Sequence, residues 1–242
     1  MSKITLLPGD CLERMAEIPA GSVDMICCDL PYGTTACKWD AVIPFAPLWE
    51  QYRRLIKPSG AIVLFGSQPF TSALVTSNPK WFRYELIWDK VNRYSGQLNA
   101  NRMPLKRHEN VLVFYGKLPA YNKQYREGKP YKNVSTGGFG PTTQYGTPGH
   151  RIEHTNDGRH NPCSVLEIKG DVKTEPKLHP TQKPVALIEY MIRTYTNEGE
   201  TVLDNCAGSG TAAVAALNTG RNAILIERDL EYCHTILKRL AA

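Results

Sequence analysis

Apolar residues fall along this chain in two alternating rhythms. Short continuous runs occupy 3–7, 23–28, 61–65, 84–88, 110–115, 201–204 and 223–226. Stretches with helical spacing occupy 10–18, 46–57, 68–77, 184–196, 210–218 and 229–240. A continuous apolar run bounded by turn residues predicts a strand buried on both faces, and i, i+3, i+4 spacing predicts an amphipathic helix. Asp10 stands where the first helix needs an N-cap, and Pro58-Ser59-Gly60 is placed to end the second helix before the next strand begins. Strands that alternate with helices predict an α/β fold: a doubly wound, mostly parallel sheet with helices on both faces. Ligands of such sheets gather beyond the carboxyl ends of the strands, so the chemistry is expected just after each strand.

One stretch breaks the rhythm. Residues 117–178 carry no periodic apolar pattern but hold Tyr121, Tyr125, Tyr131, Phe139 and Tyr145 among glycines and prolines. A long irregular segment is functional or disordered rather than a routine connection, and linkers are aromatic-poor, which favours function. With 242 residues the chain reads as a single domain, 1–242, interrupted by this insertion. A chain of that size buries roughly 70% of its unfolded surface without staples. Its 42% hydrophobic and 21% charged residues exclude a wholly disordered, collagen-like or coiled-coil chain. The seven cysteines are odd in number and form no C-x-x-C pair, so neither a disulfide framework nor a metal site is expected. No run of 18 apolar residues and no signal-peptide core occur, and a cytoplasmic location is the expectation.

Charge sharpens this picture locally. The net charge is +6, and Lys80–Arg107 alone holds seven basic residues against two acidic ones, a local +5. Such a window suits a polyanion, with Arg93, Arg102, Lys106 and Arg107 as the candidate phosphate contacts; a solvated charged face is the plainer alternative.

Three strings follow strands or precede a helix. After 201–204 the chain reads Asp204-Asn205-Cys206-Ala207-Gly208-Ser209-Gly210-Thr211 and enters an Ala-rich helix. Glycines at such a turn let the backbone approach a ligand, and Glu227, ending the next strand, can accept both hydroxyls of a ribose. After 23–28 comes Asp29-Leu30-Pro31-Tyr32-Gly33. It reads either as a β-turn with a packed tyrosine or as a site for an exocyclic amino group. That nitrogen is a poor nucleophile because its lone pair is delocalised. A carboxylate and a backbone carbonyl can accept its two N–H bonds and aim the lone pair, while the tyrosine offers a stacking face. The third string, His179-Pro180-Thr181-Gln182-Lys183-Pro184, precedes the 184–196 helix; a helix start accounts for Pro184 but not for the rest.

These strings resemble those of the amino-methyltransferases that act on DNA and use S-adenosyl-L-methionine. Asp29-Leu30-Pro31-Tyr32 resembles the catalytic D-P-P-Y loop, Asp204–Thr211 resembles the D-P-F-x-G-S-G-T cofactor loop, and His179–Pro184 matches H-P-T-Q-K-P in full. The order, catalytic loop first and cofactor loop last, is similar to that of the beta class. The resemblance implies a circularly permuted, seven-stranded methyltransferase sheet with one antiparallel strand at 110–115, and a target-recognition region at 117–178. It departs at Leu30, where the family has proline, and at Asn205 and Cys206, where it has proline and phenylalanine. Less packing by Cys206 implies weaker cofactor binding.

By this resemblance Asp29 accepts the amino hydrogen bond, the Pro31 carbonyl is its second acceptor and Tyr32 stacks on the base. Asp204, Gly208, Ser209 and Gly210 hold the amino-acid part of the cofactor, with Cys206 and Thr211 beside them. Glu227 takes the ribose, Asp10 and Asp229 lie near the adenine, and Thr181 and Lys183 lie near the methionine end. The implied reaction is methylation of adenine N6 in double-stranded DNA, with the base extruded from the duplex. Cytosine N4 is the nearest alternative. Methylation of an RNA base or a protein glutamine is disfavoured by the motif order, and a catalytically inactive DNA-binding relative by the retained Asp29 and G-S-G-T. The resemblance admits a homodimer and leaves a restriction-enzyme partner open.

Overall fold

The computed structural model describes residues 2–34, 40–134, 153–170 and 182–241. Eight strands make its main sheet: β1 (Ile4–Pro8), β2 (Val23–Cys28), β3 (Ile56–Gly66), β4 (Phe82–Asp89), β5 (His108–Phe114), β10 (Val165–Glu167), β11 (Thr201–Asp204) and β12 (Asn222–Glu227). The order is β1-β12-β11-β2-β3-β5-β4-β10, and only β5 runs antiparallel to its neighbours. The antiparallel strand expected at 110–115 is therefore present. The expected seven strands are eight, because the short β10 adds to the free edge of β4. Its three residues are too few to leave an apolar run in the sequence.

Alternation along the strands divides the core. Met25, Cys27, Ala61, Val63, Phe65, Val111 and Val113 face α4 (Val185–Tyr195), α5 (Thr211–Asn218) and Ile236 of α6 (Leu230–Ala241). Ile26, Cys28, Ile62, Leu64, Leu112 and Phe114 face α1 (Cys11–Glu17), α2 (Phe45–Leu55) and α3 (Phe70–Ser77). A period of two places successive side chains on opposite faces, so a continuous apolar run is what a sheet covered on both sides requires. Asp10 caps α1 as predicted, accepting the Leu12 amide at 2.9 Å.

The segment Pro58-Ser59-Gly60 does not separate helix from strand. The strand starts at Ile56, directly after α2, and the β2–β3 register jumps from Val23↔Ile56 to Met25↔Ala61. Proline has no ladder donor and is accommodated in such an irregularity. A Cβ on Gly60 would lie 2.7 Å from the Asp24 carbonyl oxygen, so the close passage needs glycine.

Within the 117–178 interval, Lys123–Cys163 forms a second compact unit. It pairs β6 (Arg126–Glu127) with β9 (Arg159–His160) and β7 (Tyr131–Val134) with β8 (Glu153–Asn156). Two cations approach the Tyr125 ring, Lys123 Nζ at 6.0 Å and Arg159 Cζ at 5.5 Å from its centroid. Residues 135–152 and 171–178 of the interval lie outside the described residues, with Phe139 and Tyr145 among them.

Candidate functional site

The site arises from the direction in which the chain leaves two adjacent strands. Strands β2 and β11 pair in parallel, with Val202 opposite Met25 and Leu203 opposite Ile26. After β2 the chain turns into the face that holds α2, and after β11 into the face that holds α5. Two connections that part to opposite faces leave a crevice at the carboxyl ends, the switch point of a doubly wound sheet. A cleft of about 1210 Å3 opens there, and Asp29, Tyr32, Lys183, Asp204, Ser209 and Glu227 are among the residues lining it.

The loop after β2 is held from several directions. Asp29 accepts the Tyr32 hydroxyl on Oδ1 at 2.7 Å and the Lys183 ammonium on Oδ2 at 2.5 Å. Lys183 Nζ is also 3.2 Å from Glu109 Oε2, an ion-pair contact, and Glu109 Oε1 receives Lys90 Nζ at 2.5 Å. The four groups form an alternating line of charge, Asp29, Lys183, Glu109 and Lys90. Burial works to lower the Lys183 pKa, but the Asp29 and Glu109 carboxylates outweigh it and hold the ammonium above the usual lysine range. Burial likewise works to raise Glu109, and Lys183 and Lys90 outweigh it, so its carboxyl lies below the usual range. Tyr32 stacks on Phe70 with centroids 5.0 Å apart and planes at 26°, and burial pushes its hydroxyl pKa up. Asp40 accepts the Gly33 and Thr34 amides at 2.8 and 2.9 Å, which ties down the far end of the loop. Leu30 is buried among the side chains that face α1–α3, so an apolar residue serves in place of the family's proline.

The loop after β11 turns sharply. Gly208 and Gly210 adopt φ of 51° and 79°, in the left-handed region. A Cβ on Gly210 would also lie 2.9 Å from Ile236. Glu227 braces this turn, accepting the Gly208 amide at 2.7 Å and the Asp229 amide at 2.8 Å; burial raises its pKa. Asp204 accepts the Cys206 amide at 3.1 Å, and burial, with smaller contributions from Asp29 and Glu227, pushes its carboxyl up to about 7. The Ser209 hydroxyl donates to Gln182 at 3.0 Å, which joins this turn to the segment before α4. The departures from the family string have local partners. Asn205 is buried and accepts the Tyr52 hydroxyl of α2 at 2.6 Å. Cys206 packs beside Cys11 and Cys28, and its thiol is the largest influence raising the Cys11 pKa. Burial pushes Cys28 up to about 12.

The cleft thus gathers Asp10, Asp29, Pro31, Tyr32, Lys183, Asp204, Cys206, Gly208, Ser209, Thr211, Glu227 and Asp229 from among the sequence-predicted residues. Gly210 shapes the turn from behind as the N-cap of α5. Thr181 lies outside the described residues. Lys183 lines the cleft with its ammonium on Asp29 and Glu109, so it also braces the loop after β2. Of the four basic candidates, Arg93 and Lys106 line the cleft, and Lys106 Nζ also meets Ser67 Oγ. Arg102 is exposed on the β4–β5 connection. Arg107 is committed to Asp89, its Nε donating at 2.6 Å and a second nitrogen meeting the other oxygen, which leaves less of it for phosphate. Glu109, Tyr52 and Asp40 belong to no motif of the sequence, and Lys90 figures there only as one charge of the basic window. Lys90 follows the predicted strand 84–88, where chemistry is expected; Glu109 precedes the strand at 110–115 and carries no such signal.

Crevice, acid-tyrosine loop and glycine turn together define a doubly wound α/β protein whose ligand cleft lies between β2 and β11. Residues 23–238 match the N6/N4 DNA methylase family. The chain belongs to that family and is a DNA methyltransferase. It is 27% identical to the type II methyltransferase M.HinfI of Haemophilus influenzae, over 98% of this chain and 68% of that protein. It is 28% identical to the DNA adenine methyltransferase YhdJ of Escherichia coli, over 98% of this chain and 82% of that protein. The crystal structure of an M1.HpyAVI–SAM complex superposes with a TM-score of 0.65 at 26% identity, covering 98% of this chain and 99% of that one. The cytosine-N4-specific PvuII methyltransferase shares the fold, with a TM-score of 0.71 at 16% identity over 99% of this chain and 86% of that one. Among the described residues no helix is long and apolar enough to cross a membrane, and no group of three or more His, Cys, Asp or Glu side chains could hold a metal ion.

Proposed function

We propose that the chain transfers a methyl group from S-adenosylmethionine to the exocyclic N6 of adenine in double-stranded DNA. The observation that carries this reading is the Asp29 carboxylate. It stands at the end of β2, oriented by Tyr32 and Lys183, in the cleft it shares with the glycine turn after β11.

The residues of the cleft fit the cofactor. A nucleoside needs acceptors for its ribose hydroxyls, an amino-acid tail needs a partner for its ammonium, and a sulfonium favours nearby negative charge. The cleft offers Glu227 for the first, Asp204 for the second and Asp29 for the third. Gly208, left-handed and lining the cleft, puts no side chain into that space. When bound, the cofactor supplies an electrophilic methyl group on sulfur. Asp29 accepts one N–H of the target amine and the Pro31 carbonyl the other, which frees the nitrogen lone pair for attack. Tyr32 supports the base, and Asp29 receives the proton the amine releases. Alignment of this kind contributes up to ~7–11 kcal/mol to a two-substrate reaction.

Recognition of the DNA is assigned to two features. Arg93 and Lys106 hold phosphates at the cleft rim, and the unit at Lys123–Cys163, with its exposed Tyr125 and Tyr131, reads the sequence from within the 117–178 insertion. The test is nucleoside analysis by mass spectrometry of DNA incubated with the protein and S-adenosylmethionine. N6-methyladenine is expected, and N4-methylcytosine alone overturns the adenine assignment. Asp29→Ala should abolish transfer; a variant as fast as the parent would remove Asp29 from the mechanism.

A further inference from the structure

The β4–β5 connection rises from the same edge of the sheet as the cleft and carries an apolar tip. Its neck is an antiparallel bridge: the Ser95 amide donates to the Lys106 carbonyl at 2.8 Å and the Lys106 amide to the Ser95 carbonyl at 3.0 Å. Ser95 and Lys106 both line the cleft that holds Asp29. Above the neck, Gly96 takes a φ of 90° and the chain makes one short turn at Gln97–Asn99. Leu98 stands on that turn with its whole surface exposed (101%), the most exposed of the large hydrophobic residues. Met103 and Tyr94 are also exposed. One exposed apolar side chain is ordinary, but Tyr94, Leu98 and Met103 on one loop beside a binding cleft suit an interaction site. Leu98 follows Ser95 by three residues, so it stands within about 10 Å of the neck.

The surrounding charge selects the partner. Residues 90–107 contain five basic side chains, Lys90, Arg93, Arg102, Lys106 and Arg107, and no acidic one; Lys90 and Arg107 pair with the flanking Glu109 and Asp89, so Arg93, Arg102 and Lys106 carry the charge offered to a partner. An apolar point set in a cationic loop is complementary to a duplex: cations meet phosphates, and a leucine or methionine can enter between base steps and unstack them. Resting on the methyltransferase reading above, we propose that Leu98 is a wedge. It enters the duplex beside the target nucleotide and occupies the space the base vacates as that base swings into the cleft. Met103 and Tyr94 flank the insertion, and Arg102 holds the adjoining backbone. Leu98 is thus a positioning residue that acts on base extrusion, apart from the chemical step at Asp29.

The test compares two duplexes bearing the site that sequencing of methylated DNA identifies, one fully paired and one with an abasic nucleotide opposite the target. An abasic partner loosens the target and makes a wedge dispensable. For Leu98→Ala, single-turnover methylation of the paired duplex should fall at least tenfold. On the abasic duplex it should stay within twofold of the parent, with cofactor affinity unchanged. Leu98→Phe should retain activity on both. Equal rates for parent and Leu98→Ala on the paired duplex overturn the proposal, as does an equal loss on both duplexes. A change of oligomeric state in Leu98→Ala, measured by sedimentation, also overturns it, because the tip then serves contact with a second copy. A parent enzyme that methylates no DNA sinks the methyltransferase reading itself, an outcome distinct from all of these.

Discussion

Lys183→Met tests the charge line at its centre. The ammonium lies 2.5 Å from Asp29 and 3.2 Å from Glu109, so its removal leaves two carboxylates at most ~6 Å apart across the space it filled. At an effective dielectric of about 20 their repulsion is about 3 kcal/mol, in keeping with about 3–5 kcal/mol for breaking a buried pair by deleting one partner. The variant relieves part of this by keeping a proton on one of the two carboxylates, which weakens Asp29 as the acceptor the amine needs. About 3 kcal/mol corresponds to roughly a hundredfold in proton affinity, so kcat should fall most at the acid end of the pH range. Activity should recover as pH rises, more steeply than in the parent. In the parent the Lys183 pKa is raised, so its stabilisation is complete below the ordinary lysine range and is lost only as pH climbs through the raised value. Neutral pH therefore lies within its working window. Adding Glu109→Gln to Lys183→Met removes the repulsion and should restore much of the lost rate. The assay is single-turnover methylation between pH 6 and 9, with calorimetry to verify cofactor binding and melting to verify folding. A folded Lys183→Met enzyme within threefold of the parent, with an unchanged pH profile, would refute the role given to this lysine.

Four further outcomes are expected. Asp204 is raised to about 7 from 3.8, so its contribution to stability is complete below about 4 and is lost as pH rises through about 7; Asp204→Asn should flatten that slope in melting curves. If Asp204 meets the cofactor ammonium, cofactor binding to the parent should release a proton and tighten as pH rises through 7, and calorimetry in buffers of different ionisation enthalpy reads both. Tyr52→Phe leaves the buried Asn205 carbonyl unpaired and should destabilise by about 1–3 kcal/mol, a drop of a few degrees in Tm; an unchanged Tm contradicts it. Cys206→Phe should tighten cofactor binding about fivefold by adding an aromatic face to the cleft wall; calorimetry that finds equal affinity removes the link between Cys206 and weak binding.

The core of the sheet was legible because burial on both faces writes itself as uninterrupted apolar sequence. The spans of β2 and β11 coincide with the runs at 23–28 and 201–204, and the motifs follow them directly. What escaped depends on partners remote in the chain. The strand β10 exists because β4 offers an open edge, and Ile56 joins β3 because β2 lies beside it. Glu109 reads as one acid among polar neighbours until the antiparallel strand carries it to Lys183. Asn205 looked like a weakened motif, but the Tyr52 hydroxyl that occupies it comes from a helix with no periodic signal pointing there.

The single reversed strand has a further consequence. A parallel strand delivers only its last residues to the reacting edge of a doubly wound sheet. Because β5 runs backwards, its opening residues, His108 and Glu109, arrive there as well, and β4 and β5 join by a hairpin that stands over the cleft. The hairpin leaves and re-enters the sheet at one point, where the Lys90 amide meets the Arg107 carbonyl at 3.0 Å. A loop with both feet on one rung can be lengthened, shortened or exchanged without altering the register of any strand beneath it. The fold therefore keeps its chemistry and this part of its grip on the substrate on separately replaceable pieces, and residues 91–106 can be exchanged while Asp29 stays where it is.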